Sequence, residues 1–223
     1  NGGGHPESGY LAGLPAEYVI QQMRDFASGA RAGGGSAPRS AAMISFAIEA
    51  TDDEVAAAAE YYATLPPVKW TRVVEANMVP VAHLPEGTNM RHVVPGGGME
   101  PIGMRVVEVP EDSLGASIRD SHASFIAYVP EGAVARGEEL ATSGGGGRTV
   151  ACAICHGPGL TGLGAIPPIA GRSPAYMVRQ LVDFQHRMRN GPSAALMHAV
   201  VDNLTEEDIV DLVAYVASLE PAG

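Results

Sequence analysis

The sequence is poor in aromatic side chains, which make up only 5% of its 223 residues although 46% of them are hydrophobic. A chain of this length can bury one large core or two small ones, and such cores usually draw more of their volume from rings. The deficit fits a chain that packs around a large apolar group. It also fits an alanine-rich helical protein. Cysteine is scarcer still, with two residues, Cys152 and Cys155. A secreted disulfide framework uses more cysteines at wider spacing, so disulfides say nothing here about the compartment. No apolar run reaches the roughly 18 residues that a membrane-spanning helix needs. Nor is Asn1-Gly2-Gly3-Gly4-His5 the basic stretch and apolar run of a secretory signal. Basic residues are few: 14 Lys and Arg against 25 Asp and Glu, for a net charge of -11 and a pI near 5.0. That balance argues against nucleic acid and anionic membrane surfaces as partners. It suits an encounter with a basic patch on another protein. Gly144-Gly145-Gly146-Gly147 lacks the Lys-Ser/Thr of a phosphate loop and reads as a turn. There is no arrangement resembling a nucleophilic triad or a nucleic-acid patch.

What is present begins with the two cysteines. Cys152-Ala153-Ile154-Cys155-His156 is Cys-x-x-Cys-His, the haem attachment pattern. The spacing has a geometric reason. Two thiols about one helical turn apart reach the two vinyl groups of one porphyrin, and the following histidine is held under the iron. A zinc site would need further Cys or His ligands, and His186 and His198 are not in a ligand-pair pattern. A redox dithiol would follow a strand in a βαβ setting, whereas the surroundings here read as loop and helix.

The second iron ligand lies downstream in a small haem domain. Met197 is the leading candidate, because it follows the Asn190-Gly191-Pro192-Ser193 loop and precedes the closing helix. The other candidates are Met188, His186 and His198. A methionine here also reads as a gap-filling core residue. Pro167-Pro168 stands between the motif and the next helix. A carbonyl there would accept the Nδ1 proton of His156, or the prolines simply break the loop.

The chain also repeats itself. Tyr18, Gln22, Asp25 and Phe26 match Tyr176, Gln180, Asp183 and Phe184 at an offset of 158 (176 − 18). Met43, Thr51, Tyr61 and Leu65 match Met197, Thr205, Tyr215 and Leu219 at an offset of 154 (197 − 43). The change falls in Gly33-Gly34-Gly35-Ser36, read as a loop. Two homologous modules follow from this order. Each reads as helical. Pro15-Ala16-Glu17 and Ser173-Pro174-Ala175 open one helix of each module, and Thr51-Asp52-Asp53-Glu54 and Thr205-Glu206-Glu207-Asp208 open the closing helices.

Run backwards, the offset of 158 puts a counterpart of the Cys152–His156 motif at −6 to −2, ahead of Asn1. The expectation is a sequence that begins after the first attachment motif of an intact protein with two haems, Met43 serving the first iron. The alternative is a haem-free first module. Between the repeats, about Val68 to Val129, the composition changes. Val93-Val94, Val106-Val107, Val109 and Phe125–Val129 read as strands. The boundaries expected are 1–66 for the first module, 67–129 for an insertion and 130–223 for the haem module.

These residues resemble the class I cytochromes c: Cys152–Gly157, then Pro167-Pro168-Ile169-Ala170-Gly171, Tyr176, Gln180-Leu181, Phe184, Met197 and Leu204–Ile209. The duplication resembles the tandem, two-haem members of that class. The resemblance implies an all-α haem domain; with the repeat and the strand-like stretch between, the fold expected is mainly α, two helical modules joined by an irregular insertion with some β-structure. It implies haem c on Cys152 and Cys155, with His156 and Met197 on the iron, Pro167 as the histidine's partner and Met43 as the ligand of a first haem. It implies a periplasmic or otherwise extracytoplasmic place. The function expected is electron transfer, as a carrier or as a subunit of a redox complex. A dehydrogenase would donate, and an oxidase or another cytochrome would accept. A di-haem peroxidase is the alternative, disfavoured by a methionine at both closing-helix positions. A gas or redox sensor would need an attached signalling module, and none is apparent.

Overall fold

The computed structural model describes residues 2–3, 6, 8–33, 40–86, 88 and 90–221. Of the loop read at the change of offset, Gly34 to Ser36 lie outside the described residues.

Among the described residues the fold is mainly helical. The first group of helices is α1 (Ala16–Ala27), α2 (Ala41–Glu49) and α3 (Asp52–Ala63). A β-rich stretch follows, with β1 (Thr71–Glu75), β2 (Met78–Pro80), β3 (Ala82–His83), β4 (His92–Val93), β5 (Met99–Pro101), β6 (Val107–Pro110), the short helix α4 (Ser113–Ser117) and β7 (Phe125–Val129). The last group is α5 (Ala133–Ser143), α6 (Ala153–His156), α7 (Pro174–Gln185), α8 (Ala194–Val201) and α9 (Glu206–Ser218).

The helix starts follow their capping residues. Thr205 Oγ1 accepts the Asp208 N–H at 3.1 Å while Asp208 Oδ2 accepts the Thr205 N–H at 3.0 Å. Thr51 and Glu54 make the same reciprocal pair at the start of α3. Such pairs satisfy donors that a helix N-terminus otherwise leaves open. Ser173 caps α7, with Pro174 in the first helical position, where its missing N–H costs nothing.

The sheet of β1, β7 and β6 has β7 in the middle, parallel to β1 and antiparallel to β6. Thr71 is paired with Phe125 and Glu75 with Val129. Phe125, Ala127 and Val129 alternate inward and are buried. Two small antiparallel pairs, β2 with β5 and β3 with β4, complete the stretch.

The two helical groups differ in how they are packed. In the last group α9 buries nine residues, among them Ile209, Leu212, Val213 and Val216, against Leu140, Leu160, Met177 and Phe184. In the first group α3 buries only Ala59 and α2 buries none. Met43, Phe46, Ile48 and Tyr61 are exposed there. The same kind of sequence therefore closes a core in one group and leaves large apolar side chains exposed in the other.

The β-rich stretch is tied to the last group by a buried carboxyl. Glu108 on β6 accepts from Ser173 Oγ at 2.7 Å, the Ala175 N–H at 3.1 Å and Thr71 Oγ1 at 2.9 Å. It reaches the first turn of α7, where backbone donors favour negative charge.

Candidate haem-attachment site

Cys152 to His156 form a single turn, α6, set by backbone bonds from the His156 N–H to the Cys152 carbonyl and from the Cys152 N–H to the Ala141 carbonyl of α5. Gly157 ends it at φ +77°, and a Cβ there would collide with the Gly162 carbonyl, so only glycine serves. The chain then folds back. The Leu160 carbonyl accepts the N–H groups of Ile169 and Ala170 at 2.9 and 3.2 Å. This return brings Pro167 beside the motif: its carbonyl oxygen lies 2.8 Å from His156 Nδ1. An imidazole that donates Nδ1–H there presents a bare Nε2, the form a metal takes. Burial holds the His156 imidazole below its ordinary pKa, against the opposing effect of the Pro167 bond, so the neutral ring is favoured.

The cysteines are both free and half-buried. Burial pushes the Cys152 thiol up to about 11, with Cys155 adding to the rise. A redox dithiol needs the opposite, a thiol with its pKa lowered. Cys152 packs on the same core cluster as Met197. Attachment point and candidate ligand thus border one apolar body. Both cysteines, the Pro167-held His156 and Met197 fit a covalently held haem; among the described residues no group of three or more His, Cys, Asp or Glu fits a metal ion instead.

Met197 lies within α8 and not in the loop before it. It is half-buried, while Met188 is exposed. Met43 occupies the matching position within α2. His198 is engaged: its Nε2 lies 2.8 Å from the Arg189 carbonyl and its ring meets Phe184 edge-on at 6.1 Å. His186 is exposed at the end of α7. The glycines 144–147 form the turn expected of them.

The repeat carries a second feature that sequence reasoning passed over. Arg31 and Arg189 stand 158 positions apart (189 − 31), the offset of the first matches. The structure brings them together across the seam between the two helical groups, where they form an isolated antiparallel bridge. The repeat offset was the signal that would have paired them.

Comparison with known proteins places these features in a family. Residues 132–216 match the family described as cytochrome C oxidase, cbb3-type, subunit III. The chain is 29% identical over 210 residues to a thiosulfate dehydrogenase electron acceptor from Thiomonas intermedia (strain K12), covering 92% of this chain and 68% of that protein. It is 37% identical over 70 residues to cytochrome c-554(548) of Halomonas halodenitrificans, covering 31% of this chain and 84% of that protein. The fold is similar to cytochrome c4 of Acidithiobacillus ferrooxidans, with a TM-score of 0.62 at 19% identity over 96% of this chain and 91% of that one. The chain belongs to the cytochromes c, proteins that carry electrons on covalently bound haem c.

Proposed function

We propose that one haem c is bound through thioether bonds to Cys152 and Cys155, with His156 and Met197 as the two axial ligands. The observation that carries this reading is the 2.8 Å contact of His156 Nδ1 with the Pro167 carbonyl, which leaves Nε2 free to point at an iron. The packing of Cys152 and Met197 on one core supports the same ligand set. Bound there, the group supplies a one-electron Fe(III)/Fe(II) couple. The protein's residues do the rest. Pro167 fixes the ring and tautomer of His156. A thioether at the sixth position raises the potential relative to other axial sets and fills the site that oxygen or peroxide would need.

A second haem belongs to the first module in this reading, with Met43 as a ligand. The exposure of Met43, Phe46, Ile48 and Tyr61 supports it, because a bound apolar group would cover large apolar side chains otherwise left in water. Di-haem electron transfer in the periplasm is the setting. The donor is a dehydrogenase, by likeness to the thiosulfate dehydrogenase electron acceptor one that oxidises a reduced sulfur anion. The acceptor is a cytochrome or an oxidase. Among the described residues no helix is long and apolar enough to cross a membrane.

Haem count by pyridine haemochrome absorbance, set against the intact mass of the native protein, tests the reading. Two haems per polypeptide are expected. One haem would leave the first module without a redox role, and none would overturn the assignment of Cys152 and Cys155.

A further inference from the structure

Two histidines outside the haem site are set against each other by the register of the β-rich stretch. His83 on β3 is paired directly with His92 on β4, and Ala82 with Val93. Opposed residues of an antiparallel pair point to one face, with Cβ atoms about 4.5–5.5 Å apart. Ala82 packs on the core of Val79, Ile102, Val107 and Val109, so its neighbour His83 turns the other way and is exposed. The ring centroids of His83 and His92 lie 6.3 Å apart, with 41° between the planes. The register is fixed from both ends. At one end the Val94 N–H donates to the Val81 carbonyl at 2.8 Å and the Val81 N–H to the Gly98 carbonyl at 3.1 Å, which carries the pairing on into β2 and β5. At the other, Thr88 turns the connecting loop: its N–H and Oγ1 donate to the Pro85 carbonyl at 3.2 and 3.1 Å, and the Oγ1 also lies 3.3 Å from the Met90 carbonyl. Met90 is buried in one cluster with Phe125 and Ala116.

The ring nitrogens of this pair are unused. Among the described residues neither imidazole takes part in a hydrogen bond or ion pair. By contrast His122 Nδ1 lies 3.2 Å from Asp120, His156 is held by the Pro167 carbonyl and His198 by the Arg189 carbonyl. Imidazole nitrogens on facing side chains are donors that a late transition metal takes. Two imidazoles on one ion, each bound at about 2.0–2.1 Å, put their ring centres about 5–6.5 Å apart for bond angles from tetrahedral to linear. The 6.3 Å between His83 and His92 falls in that range with no movement of the backbone. Two ligands already placed by a paired backbone also lose little freedom on binding. The intrinsic order of affinity puts Cu(II) ahead of Ni(II) and Zn(II) at such nitrogen donors.

We propose that His83 and His92 form a chelating site for one divalent late transition-metal ion, Cu(II) bound most tightly. Water fills the remaining positions, since among the described residues no third His, Cys, Asp or Glu joins the pair. The site uses none of the haem residues and does not depend on the haem reading. Its consequence is structural. β3 and β4 are two residues long each, and so short a pairing is weak by itself. An ion that binds the paired form stabilises it by mass action and clasps the loop of residues 84–91 between the two strands.

The test uses the full-length, haem-loaded protein in its ferric state, so that the haem does not reduce the probe. The probe is Cu(II) alone, followed by isothermal titration and by electron paramagnetic resonance. Wild type is expected to bind one Cu(II) with nitrogen splitting from two imidazoles. His83→Ala and His92→Ala are each expected to weaken that binding by at least about tenfold, since even groups that only orient a metal's ligands account for about 10–100-fold in affinity. The two losses are expected not to add in the double variant, because a chelate fails once either arm is gone. His122→Ala, which removes an exposed histidine outside the pair, should leave the affinity unchanged. Unchanged Cu(II) affinity in His83→Ala overturns the proposal. So does a loss in His122→Ala as large as that in His83→Ala, or a wild-type spectrum with a single nitrogen. His83 is exposed, so His83→Ala decides the matter if His92→Ala does not fold. The haem count on the same sample is a separate readout: its failure removes the haem reading and leaves the metal site standing, and the reverse holds as well.

Discussion

Gly137 of α5 lies so tightly against the backbone carbonyl of Asp211 on α9 that no Cβ fits between them. This crossing joins the first and last helices of the last helical group. It is reinforced by Arg136, whose guanidinium holds both carboxylate oxygens of the buried Asp211 at 2.7 and 2.9 Å. Gly137→Ala is expected to destabilise the holoprotein by about 2–4 kcal/mol through forced separation of the helices. Helix propensity alone would favour alanine by about 1 kcal/mol. The sign of the change in a denaturant titration therefore decides between packing and propensity.

Glu108 is the buried carboxyl that ties the β-rich stretch to α7. Burial raises its pKa, against the lowering effect of its bonds from Ser173, Thr71 and the Ala175 N–H. A group whose pKa is higher in the folded state binds more protons there. Its contribution to stability is thus present in full below the ordinary carboxyl value, about 4.3, and is lost as pH rises through the raised value. Glu108→Gln mimics the protonated group and is expected to flatten that part of the stability–pH curve. Glu108→Ala leaves buried donors unpaired and is expected to cost about 1–3 kcal/mol at every pH. Thermal unfolding of the three proteins between pH 4 and 8 checks both, and equal slopes in wild type and Glu108→Gln would refute the first.

Met197→Ala is expected to abolish the methionine–iron charge-transfer band while keeping the haem on Cys152 and Cys155. The potential should fall by on the order of a hundred millivolts or more. Met188→Ala, at an exposed position, should leave band and potential unchanged. A retained band in Met197→Ala would move the ligand to another residue.

The acidic surface predicts a salt-sensitive encounter with a basic redox partner. With 25 acidic residues against 14 basic ones, the rate of electron exchange should fall several-fold between low and high ionic strength. A stopped-flow rate that does not change with salt would place the docking contact on an uncharged surface.

Much of this protein could be read before any coordinates, and the reasons are local. Cys152, Cys155 and His156 are close in sequence, so their joint geometry follows from one turn of backbone. Thr51 and Thr205 announce their helices because a capping pair spans only three residues. The repeat was legible because Tyr18, Gln22 and Phe26 kept both identity and spacing in Tyr176, Gln180 and Phe184. Of the β-structure, Phe125–Val129 read clearly, since it is a β-branched and aromatic run. Thr71–Glu75 did not, because its parallel pairing with β7 joins residues more than fifty positions apart.

Long-range relations decided the remainder. No local pattern says that Glu108 will be buried under α7, or that Met197 will stand inside a helix and share a core with Cys152. No composition rule says that an acidic chain will turn Arg31 and Arg189 toward each other. Short-range order is written in capping, spacing and side-chain shape, each spanning one or two turns of chain. The seam, the buried carboxyl and the helix crossing arise from the packing of distant segments, where the cost of burying a charge is set by which groups the whole fold brings within hydrogen-bonding reach.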